Sequence, residues 1–121
     1  MSDTANAVTW FEIPVSDLTR ATAFYEEVLG VRLRPLVEGG FKMAWFPQHE
    51  GAPGSSGGLV EGRTPGRAGT LVYLTVPDID AALARVEACG GSVVLPRASG
   101  DYGSIAHFED SEGNLVALYS R

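Results

Sequence analysis

The pattern of apolar and polar positions predicts two copies of a strand followed by a helix. Apolar residues recur at three- and four-residue spacings after Asp17 and again after Asp78, which predicts two helices with one apolar side each. Each aspartate follows an apolar strand and is placed to accept hydrogen bonds from the first free amides of its helix. Gly30 ends the first helix and Gly90–Gly91 ends the second, because glycine adopts the left-handed conformation that helix ends favour.

Further strands are predicted after both helices, where apolar segments lie between turn-forming residues. They begin at Val31 and Ser92, and the later ones cover Phe41–Phe46, Gly57–Glu61, Ser104–Glu109 and Leu115–Tyr119. Segments 47–56 and 62–69 are rich in glycine and other turn formers and are interpreted as connections. Each half therefore has the predicted order βαβββ.

The two halves are also similar in sequence and align without a gap. Asp78 follows Asp17 by 61 residues, and the same offset pairs Gly30 with Gly91. Identical residues at cap, turn and core positions indicate an internal duplication, so we expect an α+β protein. We predict a single domain over residues 1–121. Each half forms a module of this domain, module one at about 8–61 and module two at about 70–119.

Composition limits the partners that this chain can have. Its 121 residues include 15 acidic and 9 basic side chains, and the formal charge of −6 has the wrong sign for binding nucleic acid or an anionic membrane. The first residues lack the basic start and apolar run of a signal peptide, so a cytoplasmic location is expected. The single cysteine, Cys89, excludes an internal disulfide and a multi-thiolate metal site.

Two separated motifs carry a resemblance to a known family. The first contains Val15-Ser-Asp-Leu18, then Phe24-Tyr25 and Val28-Leu-Gly30, and the second is Phe108-Glu-Asp-Ser-Glu-Gly-Asn114. Together with the duplication, they resemble the vicinal oxygen chelate superfamily, the group of glyoxalase I, the bleomycin resistance proteins and the extradiol dioxygenases. The resemblance implies two βαβββ modules that form a curled, cup-shaped mixed sheet with helices on the outside. It also implies a homodimer, because a second subunit often completes the cup.

In metal-dependent members of that superfamily, the ligands are His, Glu or similar donors that point into the cup. The resemblance places three of these positions on Trp10, Leu71 and Ala117, and the fourth within Ser55–Leu59. None of them carries a good donor for a divalent cation. We therefore predict no metal and no other cofactor.

Strand alternation separates the side chains that line the cup from those that pack under the helices. With Trp10 facing the cup, every second residue of that strand faces it too, and the same holds for the matching strands of module two. The wall is then aromatic and apolar with a few polar groups, which is typical of a small-molecule pocket, and Trp10 and Tyr73 are expected to stack on a flat ligand. The predicted lining residues on these strands are Trp10, Glu12, Leu71, Tyr73, Thr75, Ala117 and Tyr119.

Glu12 and His107 are the candidate catalytic residues, and both also belong to the predicted ligand-binding set. The Glu12 carboxylate is placed to bind a cationic ligand or to act as a base. The alternative is an ion pair with Arg32, Arg34 or another basic group at a solvated rim. His107 either moves a proton or is a hydrogen-bonded structural histidine. A rearranged metal site would use the same two residues.

Two aromatic residues complete the predicted ligand-binding set. Trp45 lies either in the cup or in the layer between sheet and helices. Tyr102 lies near glycines on both sides, so it forms either a flap over the cup mouth or a surface turn. The segment Asp110–Asn114 is acidic, but it matches the strand-connecting turn of the superfamily and is assigned to structure.

These observations favour a metal-free protein that binds a small molecule, in the manner of the bleomycin resistance branch, and an acidic cup suits a basic drug. The first alternative is a metal-dependent enzyme of the glyoxalase or dioxygenase type with rearranged ligands. The second is a metal-free lyase or isomerase that uses Glu12 or His107 as acid or base. The expected partners are a small-molecule ligand and a second copy of the chain.

Overall fold

The computed structural model describes residues 6–121 and shows the predicted order of elements twice. Module one consists of β1 (Phe11–Val15), α1 (Leu18–Leu29), β2 (Arg34–Glu38), β3 (Phe41–Trp45) and β4 (Gly57–Glu61). Module two consists of β5 (Tyr73–Thr75), α2 (Ile79–Ala88), β6 (Ser92–Gly100), β7 (Gly103–Glu109) and β8 (Leu115–Ser120). The α+β class and the two tandem βαβββ modules are therefore confirmed. The expectation about the start of the chain rests partly on residues 1–5, which lie outside the described residues.

Both helices begin where the sequence pattern predicts. The Asp17 carboxylate accepts a hydrogen bond from Arg20 N at 3.0 Å, and the Asp78 carboxylate accepts one from Ala81 N at 3.1 Å. Gly30 follows the end of α1 with a φ of 67°, a left-handed conformation that costs glycine little. Across residues 6–121, no helix is long and apolar enough to cross a membrane.

The second strand of module one begins later than predicted, at Arg34 rather than at Val31. The reason is the end of α1, where Val31 N donates to the Glu26 carbonyl at 3.2 Å and Leu33 N donates to the Glu26 carboxylate at 2.9 Å. Because these amides bond to the helix end, they are not available to a sheet ladder. The matching strand of module two does begin at Ser92, as predicted.

Each module folds into its own four-stranded mixed sheet. The strand order is β1-β4-β3-β2 in module one and β5-β8-β7-β6 in module two. The pairs β1–β4 and β5–β8 are parallel, and the other pairs are antiparallel. The described strands of the two modules form no backbone ladder with each other. One chain therefore contains two separate four-stranded sheets.

One hydrophobic core lies between the two modules. It contains apolar residues from β1, α1, β5, α2, β7 and β8, and α1 packs against α2. The ring of Phe108 on β7 lies 6.1 Å from the ring of Phe24 and 6.4 Å from that of Tyr25, both on α1. Burial of this shared apolar surface holds the modules together. It uses the helix-covered face of each sheet, and the opposite faces carry exposed residues such as Glu12, Arg34, Tyr73 and Thr75.

The turn Asp110–Asn114 between β7 and β8 ties module two to the first elements of module one. Asp110 and Asn114 are 3% and 4% exposed, and the Tyr25 hydroxyl donates to the Asp110 carboxylate at 2.6 Å. The Asn114 amide donates to the Pro14 carbonyl at 2.7 Å. These buried polar groups are fully engaged within the fold, which confirms that the acidic segment is structural.

The same turn holds the start of α1 through Glu112, whose side chain is fully buried. The Glu112 carboxylate accepts hydrogen bonds from Ser16 N at 3.0 Å and Asp17 N at 2.9 Å. It also accepts two from the Arg20 guanidinium, at 2.7 and 2.9 Å. The bond from Arg20 is the main cause that lowers the pKa of Glu112 from 4.5 to about 2, and the backbone amides act in the same direction.

We therefore expect acid to weaken the fold between pH 4.5 and about pH 2, because the unfolded Glu112 takes up its proton before the folded one does. The stabilisation is fully present above the upper value and is lost as the pH falls through the lower one. Arg20 is 55% exposed, so solvent screening limits this contribution to about 1–2 kcal/mol. The difference in unfolding free energy between the wild type and Glu112→Gln, measured in urea, should shrink on acidification. The control is Glu27→Gln on the exposed side of α1, and a pH-independent difference for Glu112→Gln would contradict the assignment.

Candidate functional site

On the module-one sheet, the face opposite the helix carries two tryptophans, one acidic residue and one basic residue. The strand register places Glu12 beside Gly58, Gly58 beside Trp45, and Trp45 beside Arg34, in one row across β1, β4, β3 and β2. Trp10, directly before β1, packs against Trp45 on the same side of the sheet. We call Trp10, Glu12, Arg34 and Trp45 the tryptophan face.

The two indoles of the tryptophan face form an edge-to-face pair. Their ring centroids lie 5.1 Å apart at an interplanar angle of 70°. The Trp10 Nε1 group donates to a Glu12 oxygen at 3.4 Å, and the Trp45 Nε1 group points to the Met43 sulfur, also at 3.4 Å. The Arg34 guanidinium carbon lies 5.2 Å from the centroid of the Trp45 ring, within range of a cation–π contact.

Gly58 allows the Trp45 indole to lie on the middle of the sheet. A Cβ atom at this position would be 2.7 Å from Trp45 Cδ1 and 2.9 Å from the Ala44 carbonyl oxygen, both too close. Gly58 therefore leaves room for the Trp45 indole, whose Cδ1 atom occupies the space that a side chain at this position would fill. Sequence reasoning missed this role, because it depends on the register of three strands that are distant in the chain.

On the module-two sheet, the face opposite the helix carries two tyrosines and His107. Its central row places Tyr73 beside Ala117 and Ala117 beside His107, and the rings of Tyr73 and His107 lie 6.0 Å apart at 81°. The next row places Thr75 beside Tyr119. We call Tyr73, Thr75, His107, Ala117 and Tyr119 the tyrosine face.

His107 contributes a buried polar atom that the fold does not satisfy. Within the described part of the chain, its Nε2 atom is buried and has no hydrogen-bond partner. Ala117, directly beside it, is fully buried, whereas Tyr73 is 47% exposed. Because this nitrogen has almost no solvent-accessible surface, the side chains around it would have to move before a ligand could bond to it.

The remaining predicted site residues lie at the margins of the tyrosine face. The Tyr119 hydroxyl donates to the Tyr102 carbonyl, and the Arg121 guanidinium donates to the same oxygen at 3.3 Å. The Tyr102 side chain is 49% exposed and lies over Gly100 within its own hairpin. Leu71 precedes β5 and is partly buried. The β6–β7 hairpin tip is thus fastened to β8 at one carbonyl.

Within one chain, the structure does not unite the two candidate catalytic residues. Glu12 lies on the module-one sheet and His107 on the module-two sheet. Among residues 6–121, no group of three or more His, Cys, Asp or Glu side chains is arranged to hold a metal ion. Among the described residues, Glu12 forms no ion pair with Arg32 or Arg34. The Arg34 guanidinium lies over Trp45, at the far end of the row.

The positions that hold a divalent cation in metal-dependent relatives do not fit such an ion here. The Trp10 indole is packed on Trp45, and the Ala117 methyl group is buried between Tyr73 and His107. In the segment Ser55–Leu59, the side-chain oxygens are those of Ser55 and Ser56, and the Ser56 hydroxyl donates to two backbone carbonyls at 2.9 and 3.3 Å. Two open surface grooves, of about 620 and 450 Å³, lie at the two ends of α1 rather than on either face.

Several solved structures share this architecture at low sequence identity. A glyoxalase/bleomycin resistance protein from Albidiferax ferrireducens is 18% identical, with a TM-score of 0.69 over 96% of this chain and 100% of that chain. The antibiotic-binding protein TnmS3 from a Streptomyces species is 26% identical, with a TM-score of 0.67 over 98% of both chains. The fosfomycin resistance protein FosX from Listeria monocytogenes is 18% identical, with a TM-score of 0.68 over 98% of this chain and 95% of that chain. These similarities define the class, a protein of paired βαβββ modules with the vicinal oxygen chelate fold.

The family follows from the sequence itself. Residues 7–118 match the family model described as the Glyoxalase/Bleomycin resistance protein/Dioxygenase superfamily, and the chain belongs to that superfamily. No curated protein matches the sequence. The superfamily includes both enzymes and binding proteins, so its membership establishes the fold, and the function has to be argued from the two faces.

Proposed function

We propose that this protein binds a small, flat molecule between a tryptophan face and a tyrosine face, without the metal ion that many relatives use. The observation that carries the proposal is the edge-to-face pair of Trp10 and Trp45 beside the Glu12 carboxylate, on the sheet face opposite the helix. Paired aromatic groups with a few polar side chains are typical of ligand sites. Aromatic side chains left open in this way offer large apolar area for stacking.

A second copy of the chain supplies the opposite wall of this cup. The two modules of one chain meet through their helix-covered faces, so each open face needs a partner from elsewhere. A two-fold homodimer places the tryptophan face of one copy opposite the tyrosine face of the other and forms two equivalent cups. In such a cup, His107 Nε2 and Glu12 lie on opposite walls around one ligand.

The names of structural relatives support a binding role. TnmS3, at 26% identity, is described as an antibiotic-binding protein, and FosX is described as a fosfomycin resistance protein. Sequestration of a toxic small molecule in the cytoplasm is therefore our leading function for this chain. A metal-free lyase or isomerase is the second candidate, and the unpaired imidazole nitrogen of His107 is the observation that favours it.

Trp45→Ala should weaken the binding of a flat neutral probe by about tenfold or more, since stacking on one aromatic ring contributes about 1–1.5 kcal/mol beyond its buried area. Acridone is a suitable probe because it is flat, uncharged and fluorescent. Trp10 and Trp45 are the two tryptophans of the whole sequence, so quenching of tryptophan fluorescence by acridone reports this face. The affinity of the variant is measured by the fluorescence anisotropy of the probe.

The matched control for this experiment is Val37→Ala, which shortens a side chain of β2 that is 68% exposed and lies off the Trp45 row. It should leave both affinity and quenching unchanged. Sedimentation velocity on the same samples should show a dimer for the wild type. Equal affinity of acridone for the wild type and Trp45→Ala would refute the proposed site.

A further inference from the structure

The tryptophan face carries two opposite charges that do not neutralise each other. Glu12 is exposed, and in the described part of the chain its carboxylate accepts one long hydrogen bond, from Trp10 Nε1 at 3.4 Å. Arg34 is also exposed and has no acidic partner among the described residues. Its guanidinium lies over the Trp45 ring, which leaves its N–H groups available as donors.

The two charges stand at opposite ends of one row of the sheet. Three strand spacings separate Glu12 on β1 from Arg34 on β2, which corresponds to roughly 14 Å between their backbones. Between them, the indole of Trp45 lies over Gly58 and forms an apolar surface. A flat molecule of about three fused rings, lying along the row, reaches both charges at once.

The sequence predicted an acidic cup suited to a basic ligand, and the register adds a cation at the far end. A purely cationic ligand satisfies Glu12 and is repelled by Arg34, and a purely anionic ligand has the reverse problem. A ligand with both charges is favoured at both ends. Discrimination by matched and mismatched charges is a general route to specificity.

We infer that the ligand of the tryptophan face is a flat, dipolar molecule, with a protonated nitrogen directed to Glu12 and a carboxylate or other acidic oxygen directed to Arg34. This inference rests on the proposed function and names the chemical class of its ligand. The ring system lies on Trp45 and against the edge of Trp10. Gly58 is a positioning residue, because it leaves the space that the Trp45 indole occupies.

Four acridones with the same neutral ring system test the inference by tryptophan quenching. They are neutral acridone, cationic 2-(aminomethyl)acridone, anionic acridone-2-carboxylate and dipolar 7-(aminomethyl)acridone-2-carboxylate, which has its two charges at opposite ends of the ring system. The wild type should bind the dipolar probe at least several-fold more tightly than any other. Glu12→Gln should lose about tenfold in affinity for the cationic and dipolar probes, and Arg34→Gln should lose a similar factor for the anionic and dipolar probes.

Two control variants change the net charge by the same amount at exposed positions off the row. Glu27→Gln matches Glu12→Gln, and Arg32→Gln matches Arg34→Gln. Both controls should keep the wild-type order of the four probes. If Glu12→Gln and Arg34→Gln also keep that order while acridone still binds at Trp45, the dipolar inference is wrong and the proposed function stands. If none of the four probes quenches the wild type, both are wrong for flat ligands.

Discussion

Asp110→Ala is expected to lower the free energy of unfolding by about 3–5 kcal/mol, the largest effect that we predict for a single side chain. The Asp110 carboxylate accepts four hydrogen bonds: from the Tyr25 hydroxyl at 2.6 Å, from Glu112 N at 2.8 Å, and from the backbone and side-chain nitrogens of Asn114 at 2.9 and 3.1 Å. The alanine variant leaves the Tyr25 hydroxyl, which is fully buried, without its acceptor. Burial and the nearby carboxylate raise the pKa of Tyr25 well above its usual value of 10, so the hydroxyl remains a donor at neutral pH.

Two variants place this effect on a scale. Tyr25→Phe removes only the hydroxyl and should cost about 1–2 kcal/mol, because Asp110 keeps its other three donors. Asp101→Ala, at an exposed position, should change the unfolding free energy by less than about 0.5 kcal/mol. Urea unfolding followed by circular dichroism measures all three variants. An Asp110→Ala cost no larger than that of Asp101→Ala would show that the turn does not join the modules.

The second large effect is expected at Gly57, where replacement by alanine should cost about 2–4 kcal/mol. Gly57 is buried on β4 and is paired with Phe11 of β1. An added Cβ would press on the Phe11 carbonyl oxygen and lie 2.6 Å from the Phe11 ring. Because one of these contacts is with backbone, the parallel pair of strands has to separate to admit even one methyl group.

Gly66→Ala is the control for this prediction, since an added Cβ at Gly66 has no atom within 4 Å. It should leave the urea midpoint almost unchanged, whereas Gly57→Ala should lower it clearly. If the two variants unfold at the same urea concentration, β1 and β4 are not packed as tightly as the register requires. The comparison also separates steric crowding from the general effect of losing a glycine.

The sequence pattern was sufficient for elements whose cause is local. The caps at Asp17 and Asp78 depend on a few neighbouring residues, and the structure has both. The duplication fixed the βαβββ order, because each half supports the interpretation of the other. The start of β2 was predicted too early, since it depends on Glu26 reaching forward from α1 to the amide of Leu33.

The candidate site was predictable only as far as strand alternation reaches. Alternation places Glu12 and Trp10 on one side of β1, and the contact between the two side chains agrees with this. It left Trp45 undecided, because the direction of that side chain follows from the pairing of β3 with β4. Arg34 was one of the basic groups considered as an alternative ion-pair partner of Glu12, but the register across four strands puts it at the other end of the row.

The sequence pattern did not predict that the two faces belong to separate sheets. This separation follows from the packing of α1 on α2 and of Phe108 on α1, which are contacts between modules rather than within them. A periodic pattern predicts which side of an element is apolar, but it does not say which apolar side meets which. The superfamily resemblance implied the second subunit that we propose as the opposite wall.

The turn at Asp110–Asn114 also constrains the order in which the chain acquires its structure. The amide of Ser16 bonds to Glu112, 96 residues later, and the carbonyl of Pro14 bonds to Asn114, 100 residues later. Contacts of such long range form slowly, because the intervening chain has to close a large loop first. During synthesis on the ribosome, the backbone amides of Ser16 and Asp17 at the start of α1 therefore cannot form these hydrogen bonds until Glu112 has emerged. The first module is translated early but is completed late.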